Sequence, residues 1–244
     1  MAAETAPITQ LYLTVLVSPP AQPLNPIQLS DVFQRFRGDY PLFEQVARAG
    51  PMQLPDDADG FIALGGPRTR FGTADGSECI LFQEDRMTYA WMRTADFNED
   101  AGYPGYDAIF AKALAHWSVL REHLPMGEAI VGEIIYANAL PMGKGENQNA
   151  RLSSVINVLN PDFQAKFSNY NFTWQEPYEH GGFVETTVTG PMLTALGQPF
   201  THLQSMTRFR LAEGWTGLEA AFTLAHTALN DQFKKVVADG HRPG

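Results

Sequence analysis

The sequence lacks a second cysteine. Cys79 stands alone, so the chain cannot form an internal disulfide, and the CxxC pairs of zinc and redox sites are absent. Because Cys79 lies in an apolar stretch, we interpret it as a small buried side chain rather than as a nucleophile.

Basic residues are also scarce. The chain has 17 Lys and Arg against 27 Asp and Glu, which gives a formal net charge of −10 at pH 7. Nucleic-acid grooves and proteins that bind anionic membranes need Lys and Arg in excess. We therefore expect neither nucleic acid nor membrane as a partner, and we interpret the acidic balance as a source of solubility.

Long hydrophobic runs are missing as well. No stretch of about 18 uninterrupted apolar residues occurs, so the sequence predicts no membrane-spanning helix. The first ten residues contain neither the basic segment nor the apolar core of a secretory signal. The expectation is a soluble cytoplasmic protein.

Common catalytic signatures do not occur. The sequence contains no GxxxxGK[ST], GxGxxG, HExxH or GxSxG motif, which are typical of phosphate, dinucleotide, zinc-hydrolase and serine-hydrolase sites. The six histidines are scattered, and a metal site would need several of them to converge with a carboxylate such as Glu133 or Glu185. We predict no catalytic residue, no metal and no cofactor.

The most informative part of the chain is a dense stretch from Cys79 to Leu124. Its first part reads as two strands that meet at the polar turn Glu84-Asp85-Arg86. Its second part, from Tyr106 to Leu124, places large apolar side chains at i, i+3, i+4 and i+7, which predicts an amphipathic helix. We interpret the stretch as a hairpin covered by a helix, with packing core between them.

The remaining elements follow from alternation and from helical spacing. Further strands are predicted at Leu11–Val17, Arg68–Phe71, Ala129–Leu140, Lys166–Gln175, Phe183–Thr189 and Leu203–Ala212, and further helices at Ile27–Phe36 and Leu218–Val236. Between Tyr40 and Ala49 the sequence predicts only a short turn. This order favours an α+β fold, with an antiparallel sheet of about six to eight strands, three main helices packed mostly on one face and a long C-terminal helix.

We predict a single domain over residues 1–244. The polar segment Gly143–Asn149 interrupts the regular pattern, so a subdivision into 1–142 and 150–244 is the alternative. The order of strands and helices also suggests two related halves, although no sequence repeat supports that interpretation.

Strand arginines and aromatic residues supply the candidate binding residues. A guanidinium beside an aromatic ring can hold an anionic or aromatic group, or the arginines can pair with acidic neighbours on a solvent face. Asn138 stands in an otherwise apolar strand, so its side chain needs partners in the backbone or in a ligand. The predicted binding residues are Trp91, Arg93, Tyr136 and Asn138, and the acidic loop Asp96–Asp100 remains open.

Several short segments resemble a sporadically distributed family of uncharacterised bacterial proteins of about 250 residues, a family of unknown function. The matching segments are the first strand with Pro23-Leu24, then Asp39–Glu44, Ser77–Arg93, Tyr103–Tyr106, Tyr136–Asn138 and the helix from His226 to Phe233. In the family pattern a polar residue, often arginine, follows Tyr-x-Asn, whereas Ala139 stands there in this chain. The resemblance implies a compact bacterial domain with an accessory or defence-related role, and no catalytic signature.

Two functions remain open. The first is a non-enzymatic binding protein that holds a protein or peptide partner on its antiparallel sheet, at the edge strand Phe183–Thr189 or at the arginine and aromatic face. An antitoxin, immunity or chaperone-like role would fit that function, and we also expect a homodimer. The second is an enzyme or small-ligand receptor with a cavity between sheet and helices. Its candidate residues are Arg93, Tyr136, Asn138 and His180.

Overall fold

The computed structural model describes residues 8–22, 25–50, 67–94, 102–141, 170–193, 197 and 199–237. Within them, nine strands form one antiparallel sheet, and three helices pack on it. The elements are β1 (Ile8–Ser18), α1 (Pro26–Phe36), β2 (Leu42–Val46), β3 (Arg68–Gly72), β4 (Glu78–Gln83), β5 (Arg86–Met92), α2 (Tyr106–His123), β6 (Glu128–Pro141), β7 (Tyr170–Pro177), β8 (Gly182–Leu193), β9 (Pro199–Arg210) and α3 (Leu218–Val236). Across the sheet the strands follow the order β2-β3-β4-β5-β1-β6-β9-β8-β7.

Strand β1 lies at the centre of the sheet. It pairs with β5 on one side and with β6 on the other. Leu11, Leu13 and Val15 alternate onto one face and are fully buried there. The alternation read from the sequence therefore corresponds to a strand whose apolar side chains form the middle of the core.

All three helices pack on the face of the sheet that carries Leu11 and Leu13. Val32 of α1, Trp117 of α2 and Phe222 of α3 belong to one hydrophobic cluster with these strand residues. The chain is thus α+β, with an antiparallel sheet and a C-terminal helix, as predicted. No helix in the described part of the chain is long and apolar enough to cross a membrane.

The sheet is larger than the six to eight strands predicted, because the described residues form nine. The additional strand is β2, at a place where the sequence predicts a short turn. Its residues show no alternation, and four of the five are exposed. They form a strand because they pair with β3, with Phe43 opposite Phe71. Sequence periodicity carries no information on such pairing between distant segments.

The prediction that Phe183–Thr189 forms an edge strand is wrong. These residues belong to β8, which lies between β7 and β9 and pairs with both. The sequence predicts the β7–β8 hairpin correctly, but it does not show that β9 pairs with the far side of β8 rather than of β7. Among the described strands, the edges of the sheet are β2 and β7.

The sheet contains two arrangements of the same kind. In the first half, strands β2 to β5 lie side by side in chain order, and β1 pairs with the last of them, β5. In the second half, strands β7 to β9 lie side by side in chain order, and β6 pairs with the last of them, β9. Helices α2 and α3 follow these series in the chain. The two first strands, β1 and β6, pair at the centre, so the sheet is continuous. The segment Gly143–Asn149 lies outside the described residues, and the subdivision there stays a prediction.

Candidate functional site

Two of the predicted binding residues, Trp91 and Tyr136, lie on the helix-covered face of the sheet. Both are opposite Leu11, Trp91 on β5 and Tyr136 on β6. Tyr103, which precedes α2, connects them. Its ring meets that of Trp91 edge to face at 5.4 Å between centroids, and its hydroxyl lies 3.3 Å from that of Tyr136. The structure therefore brings Trp91 and Tyr136 together through a residue between them.

Helix α3 extends this contact into a chain of hydrogen bonds. The hydroxyl of Tyr136 lies 3.0 Å from Nδ1 of His226, and Nε2 of His226 lies 3.0 Å from Nδ2 of Asn230. An amide nitrogen can only donate, so with this amide orientation Nε2 accepts and Nδ1–H donates to Tyr136. The hydroxyls of Tyr136 and Tyr103 share the next hydrogen bond, in which either oxygen can donate. The hydroxyl of Tyr103 is the end of this chain of hydrogen bonds.

The imidazole of His226 is held by stacking as well as by hydrogen bonds. Its ring is parallel to that of Tyr106, with 3.7 Å between centroids and 3° between planes. The hydroxyl of Tyr106 donates to the backbone oxygen of Phe222 at 3.1 Å. This bond fixes the first turn of α2 against α3 and sets the position of the ring on which His226 lies.

Burial keeps this network uncharged near neutral pH. It lowers the pKa of His226, and the carboxylate of Asp107 opposes that shift only in part. Burial also raises the pKa of Tyr136, and it raises the pKa of Tyr103 to about 12. At neutral pH the network therefore contains a neutral imidazole and neutral hydroxyls, beside the ring of Trp91, which is 6 % exposed.

Asn138 and Arg93 lie at the same end of the sheet as this network. Asn138 is 2 % exposed and follows Tyr136 by two residues on the same face of β6, opposite Leu203 of β9. Arg93 comes just after β5, and its backbone N–H donates to the oxygen of Thr9 at 2.8 Å. The acidic loop Asp96–Asp100 lies outside the described residues.

His180 does not join these residues. It lies in the turn between β7 and β8, where it contacts the Tyr178 ring at 5.3 Å and the Glu179 carboxylate at 3.3 Å. Gly182, two residues after His180, is opposite Phe209 of β9, whereas Asn138 is opposite Leu203 of the same strand. Phe209 and Leu203 are six positions apart along β9. At about 3.3 Å per residue, that separation is roughly 20 Å. A site that includes both His180 and Asn138 is therefore not formed.

The sequence did not reveal the roles of Tyr103 and His226. His226 follows Phe222 by four residues, so helical spacing places it beside the apolar face of α3. That spacing was a usable signal for a half-buried histidine. Its hydrogen-bond partner on β6 is 90 positions away in the chain, and no local pattern indicates that contact.

A second polar network lies under α2 and centres on Glu78. The hydroxyls of Tyr40 and Tyr89 donate to Oε2 of Glu78 at 3.1 and 2.6 Å, and Lys112 donates to Oε1. His116 Nε2 lies 2.8 Å from the hydroxyl of Tyr40. Because the hydrogen of Tyr40 is directed at Glu78, Nε2–H donates to the oxygen of Tyr40. These bonds attach α2 to β4 and β5.

Burial and hydrogen bonding act in opposite directions on the pKa of Glu78. Burial alone would raise it, but the hydrogen bonds from Lys112 and Tyr89 outweigh burial and lower it. Burial lowers the pKa of His116 to about 4. At neutral pH the network therefore contains a charged carboxylate and a neutral imidazole, each with partners, which is typical of a structural anchor.

Three of the strand arginines, Arg70, Arg86 and Arg208, pair with carboxylates. On the face away from the helices, Arg86 donates to Asp85 at 3.1 and 3.0 Å, and Arg208 Nε donates to Glu133 at 2.9 Å. The guanidinium of Arg208 also lies 5.4 Å from the Phe183 ring centroid. Of the two interpretations open from the sequence, these contacts favour arginines paired with acidic neighbours.

In the described part of the chain, no three His, Cys, Asp or Glu side chains converge in a group that could hold a metal ion. Comparison with known proteins assigns neither a family nor a function to the chain. No protein-family model matches the chain, and no curated protein matches it significantly, so its resemblance to the sporadic bacterial family stays a prediction.

Proposed function

We propose that the protein is a binding protein that holds an extended segment of a basic protein partner along strand β7. One observation carries this proposal. Among the described strands β7 ends the sheet, and its residues Tyr170–Gln175 are six successive uncharged residues on that edge. An accessory role, such as that of an antitoxin, immunity protein or chaperone, would use this edge.

The edge strand of a sheet can present backbone N–H and C=O groups with which another strand pairs. Proteins usually protect such edges with charged residues, prolines or short strands. The other edge, β2, has only five residues, and its Glu44 pairs with Arg70. Strand β7 has eight residues, and its charge and proline, Glu176 and Pro177, come only at its end. Strand addition is therefore better supported at β7.

Aromatic side chains border the β7 edge on the helix-covered side. Phe172 and Trp174 are half-buried and, like Phe233 of α3, pack against a buried cluster that includes Val236. On the other side Asn171 and Thr173 are exposed. An added strand would place alternate side chains beside the two aromatic rings, and cross-strand contacts of that kind contribute about 0.2–1 kcal/mol each. The partner segment should therefore be apolar on one face.

Charge favours a basic partner. The chain has a net charge of −10, and β7 carries no Lys or Arg. At the turn beyond β7, the side chain of Glu179 is 82 % exposed. Such a surface attracts Lys and Arg and repels acidic chains. A second copy of the protein would bring another charge of −10 to the same edge, so a homodimer is the weaker proposal for this strand.

Binding of short peptides of known charge to the full chain tests the proposal. Ten-residue peptides of alternating Val and Thr would carry two lysines or two glutamates at the ends, with binding measured by fluorescence anisotropy. We expect the lysine peptide to bind at least tenfold more tightly than the glutamate peptide at low salt, and a central proline to abolish binding. Hydrogen exchange should slow at the backbone amides of residues 170–176.

Two lysine variants locate the binding edge. Thr173→Lys adds a charge on β7, and Thr189→Lys adds it on the same face of the neighbouring β8. We expect the first to weaken the lysine peptide by about tenfold and the second to leave its affinity within twofold. Equal effects of both variants, or unchanged exchange on β7, would contradict the proposal. A dimer mass that only Thr173→Lys disrupts would instead identify a second copy as the occupant.

A further inference from the structure

A cavity of about 130 Å³ lies near the β2 edge of the sheet, at the far end from β7. There β2, β3 and β4 meet α1 and the end of α2. We propose that this cavity is a binding site for a small uncharged amphiphile, of the size and polarity of a single-ring aromatic amide. The proposal is independent of strand addition at β7, because the two places share no strand.

One wall of the cavity is apolar. It is formed by Leu29 of α1, Phe82 of β4 and Leu124, which caps the end of α2. Phe82 and Leu124 are each 4 % exposed, so the rest of the structure holds both in place. Leu29 is half-buried. A flat apolar body that fills this wall removes apolar surface from water, which stabilises the complex by about 25 cal/mol per Å².

Next to Phe82, polar residues with unused hydrogen-bonding capacity line the cavity. Gln45 of β2 is opposite Thr69 of β3, and Thr69 is opposite Phe82 of β4, so the three form one row on the face of the sheet. The side chains of Gln45 and Thr69 form no hydrogen bond with any described residue. Gln83 differs, because its amide already accepts from the Ala49 backbone N–H at 3.0 Å and donates to an aspartate at 2.6 Å.

The charges at the cavity neutralise each other. Glu84 lines the cavity, and its carboxylate pairs with Nη1 of Arg48 at 3.3 Å. The second amino group of that guanidinium, Nη2, is buried without an acceptor among the described residues. Arg48 itself does not line the cavity, so the charge that a ligand meets there is the paired carboxylate of Glu84. A full charge of either sign on the ligand would compete with this ion pair, whereas an uncharged polar group would not.

The volume limits the ligand. An engineered cavity of about 150 Å³ in another protein holds one benzene molecule. The cavity of about 130 Å³ therefore accommodates one ring, with its polar substituent toward Gln45 and Gln22, which are both exposed at the cavity. Nucleotides and peptides are too large for this space.

Three probes of similar size and different charge test the proposal on the full chain: benzamide, benzoate and benzylammonium. Ligand-observed NMR titration gives their affinities. We expect benzamide to bind saturably with a dissociation constant on the order of 1 mM, as a ligand of about nine non-hydrogen atoms should. Benzoate and benzylammonium should each bind at least fivefold more weakly.

Two tryptophan variants on α1 test the location. Leu29→Trp fills the cavity, and Ile27→Trp places the same ring at a position that is 74 % exposed. We expect the first to weaken benzamide at least tenfold and the second to leave the affinity within twofold. If Leu29→Trp does not fold, Thr69→Val serves in its place, with a loss of roughly fivefold for one hydrogen bond. Absence of saturable benzamide binding, tighter binding of a charged probe, or full affinity in the cavity variant would overturn the proposal.

Discussion

The Tyr106 ring lies flat on the His226 ring, with 3.7 Å between their centroids and 3° between their planes. Tyr106 is the first residue of α2 and His226 lies in the middle of α3, so the stack joins two helices that are distant in the chain. It covers one side of the imidazole, while Tyr136 and Asn230 occupy its two nitrogens. The histidine is therefore restrained both by stacking and by hydrogen bonding.

Removal of this stack should raise the pKa of His226. Burial lowers the pKa of the imidazole below its ordinary value, and nearby Asp107 acts in the opposite direction. Tyr106→Ala admits water to one face of the ring and leaves Asp107 in place, so the charged form becomes less unfavourable. An NMR titration of the His226 ring protons measures the shift. An unchanged pKa in the variant would mean that the tyrosine does not shield the histidine.

Tyr136 should contribute more to stability than Tyr103, although each would lose one hydroxyl. Tyr136→Phe leaves Nδ1–H of His226 without an acceptor in the buried interior, which costs about 1–3 kcal/mol. Tyr103→Phe removes only the end of the chain of hydrogen bonds, and the expected cost is about 0.5 kcal/mol. Urea denaturation of both variants gives the comparison. Equal losses of unfolding free energy would show that the hydrogen bond between Tyr136 and His226 contributes no more to stability than the one between Tyr136 and Tyr103.

The predictions from sequence were right where the determining contacts are local. The alternation of Leu11, Leu13 and Val15 and the helical stripe that begins at Tyr106 are properties of short segments, and both elements formed as expected. The prediction that β8 is an edge strand was wrong because strand order depends on pairing between distant segments. The contacts of Tyr136 depend on the same kind of pairing, because no local pattern indicates its hydrogen-bond partner His226, 90 positions away.

Acid should destabilise the protein in two steps, and His116 should cause much of the first. Its pKa is about 4 in the folded chain because of burial, against an ordinary value of 6.5. Between those two values the unfolded chain binds a proton that the folded chain does not, so stability falls as the pH falls from 6.5 to 4. Glu78, whose folded pKa is lowered, loses its contribution only below its ordinary value of 4.5.

The size of the first step can be measured with histidine variants. The pKa shift of His116 corresponds to roughly 3 kcal/mol of unfolding free energy for a fully buried group. Partial solvent access reduces the expected contribution of His116 to about 1–2 kcal/mol. His116→Gln should flatten the dependence of unfolding free energy on pH between 6.5 and 4. His180→Gln is the matched control, because it removes a histidine that is 48 % exposed and lies outside the Glu78 network. Identical profiles for both variants would exclude His116 as the cause.

Gly132 should tolerate no side chain, because the core of the second half of the sheet fills its space. A Cβ atom there would lie 2.4 Å from the ring of Phe209 and 3.0 Å from that of Phe222. Both rings are buried and meet edge to face at 5.1 Å, so neither can move freely. Gly132→Ala should cost about 1–3 kcal/mol of unfolding free energy through overpacking. Gly38→Ala, where a Cβ atom would meet nothing within 4 Å, is the matched control.

A double-mutant cycle separates overpacking from a backbone effect. Phe209→Leu removes part of the ring that the new methyl group would meet, and alone it should destabilise the core by about 1 kcal/mol or more. Combined with Gly132→Ala, the two changes should cost less than the sum of their separate effects, because each relieves the other. Denaturation of the three variants and the original chain gives the coupling energy. Strict additivity would show that Gly132 is required for its backbone rather than for the space beside Phe209.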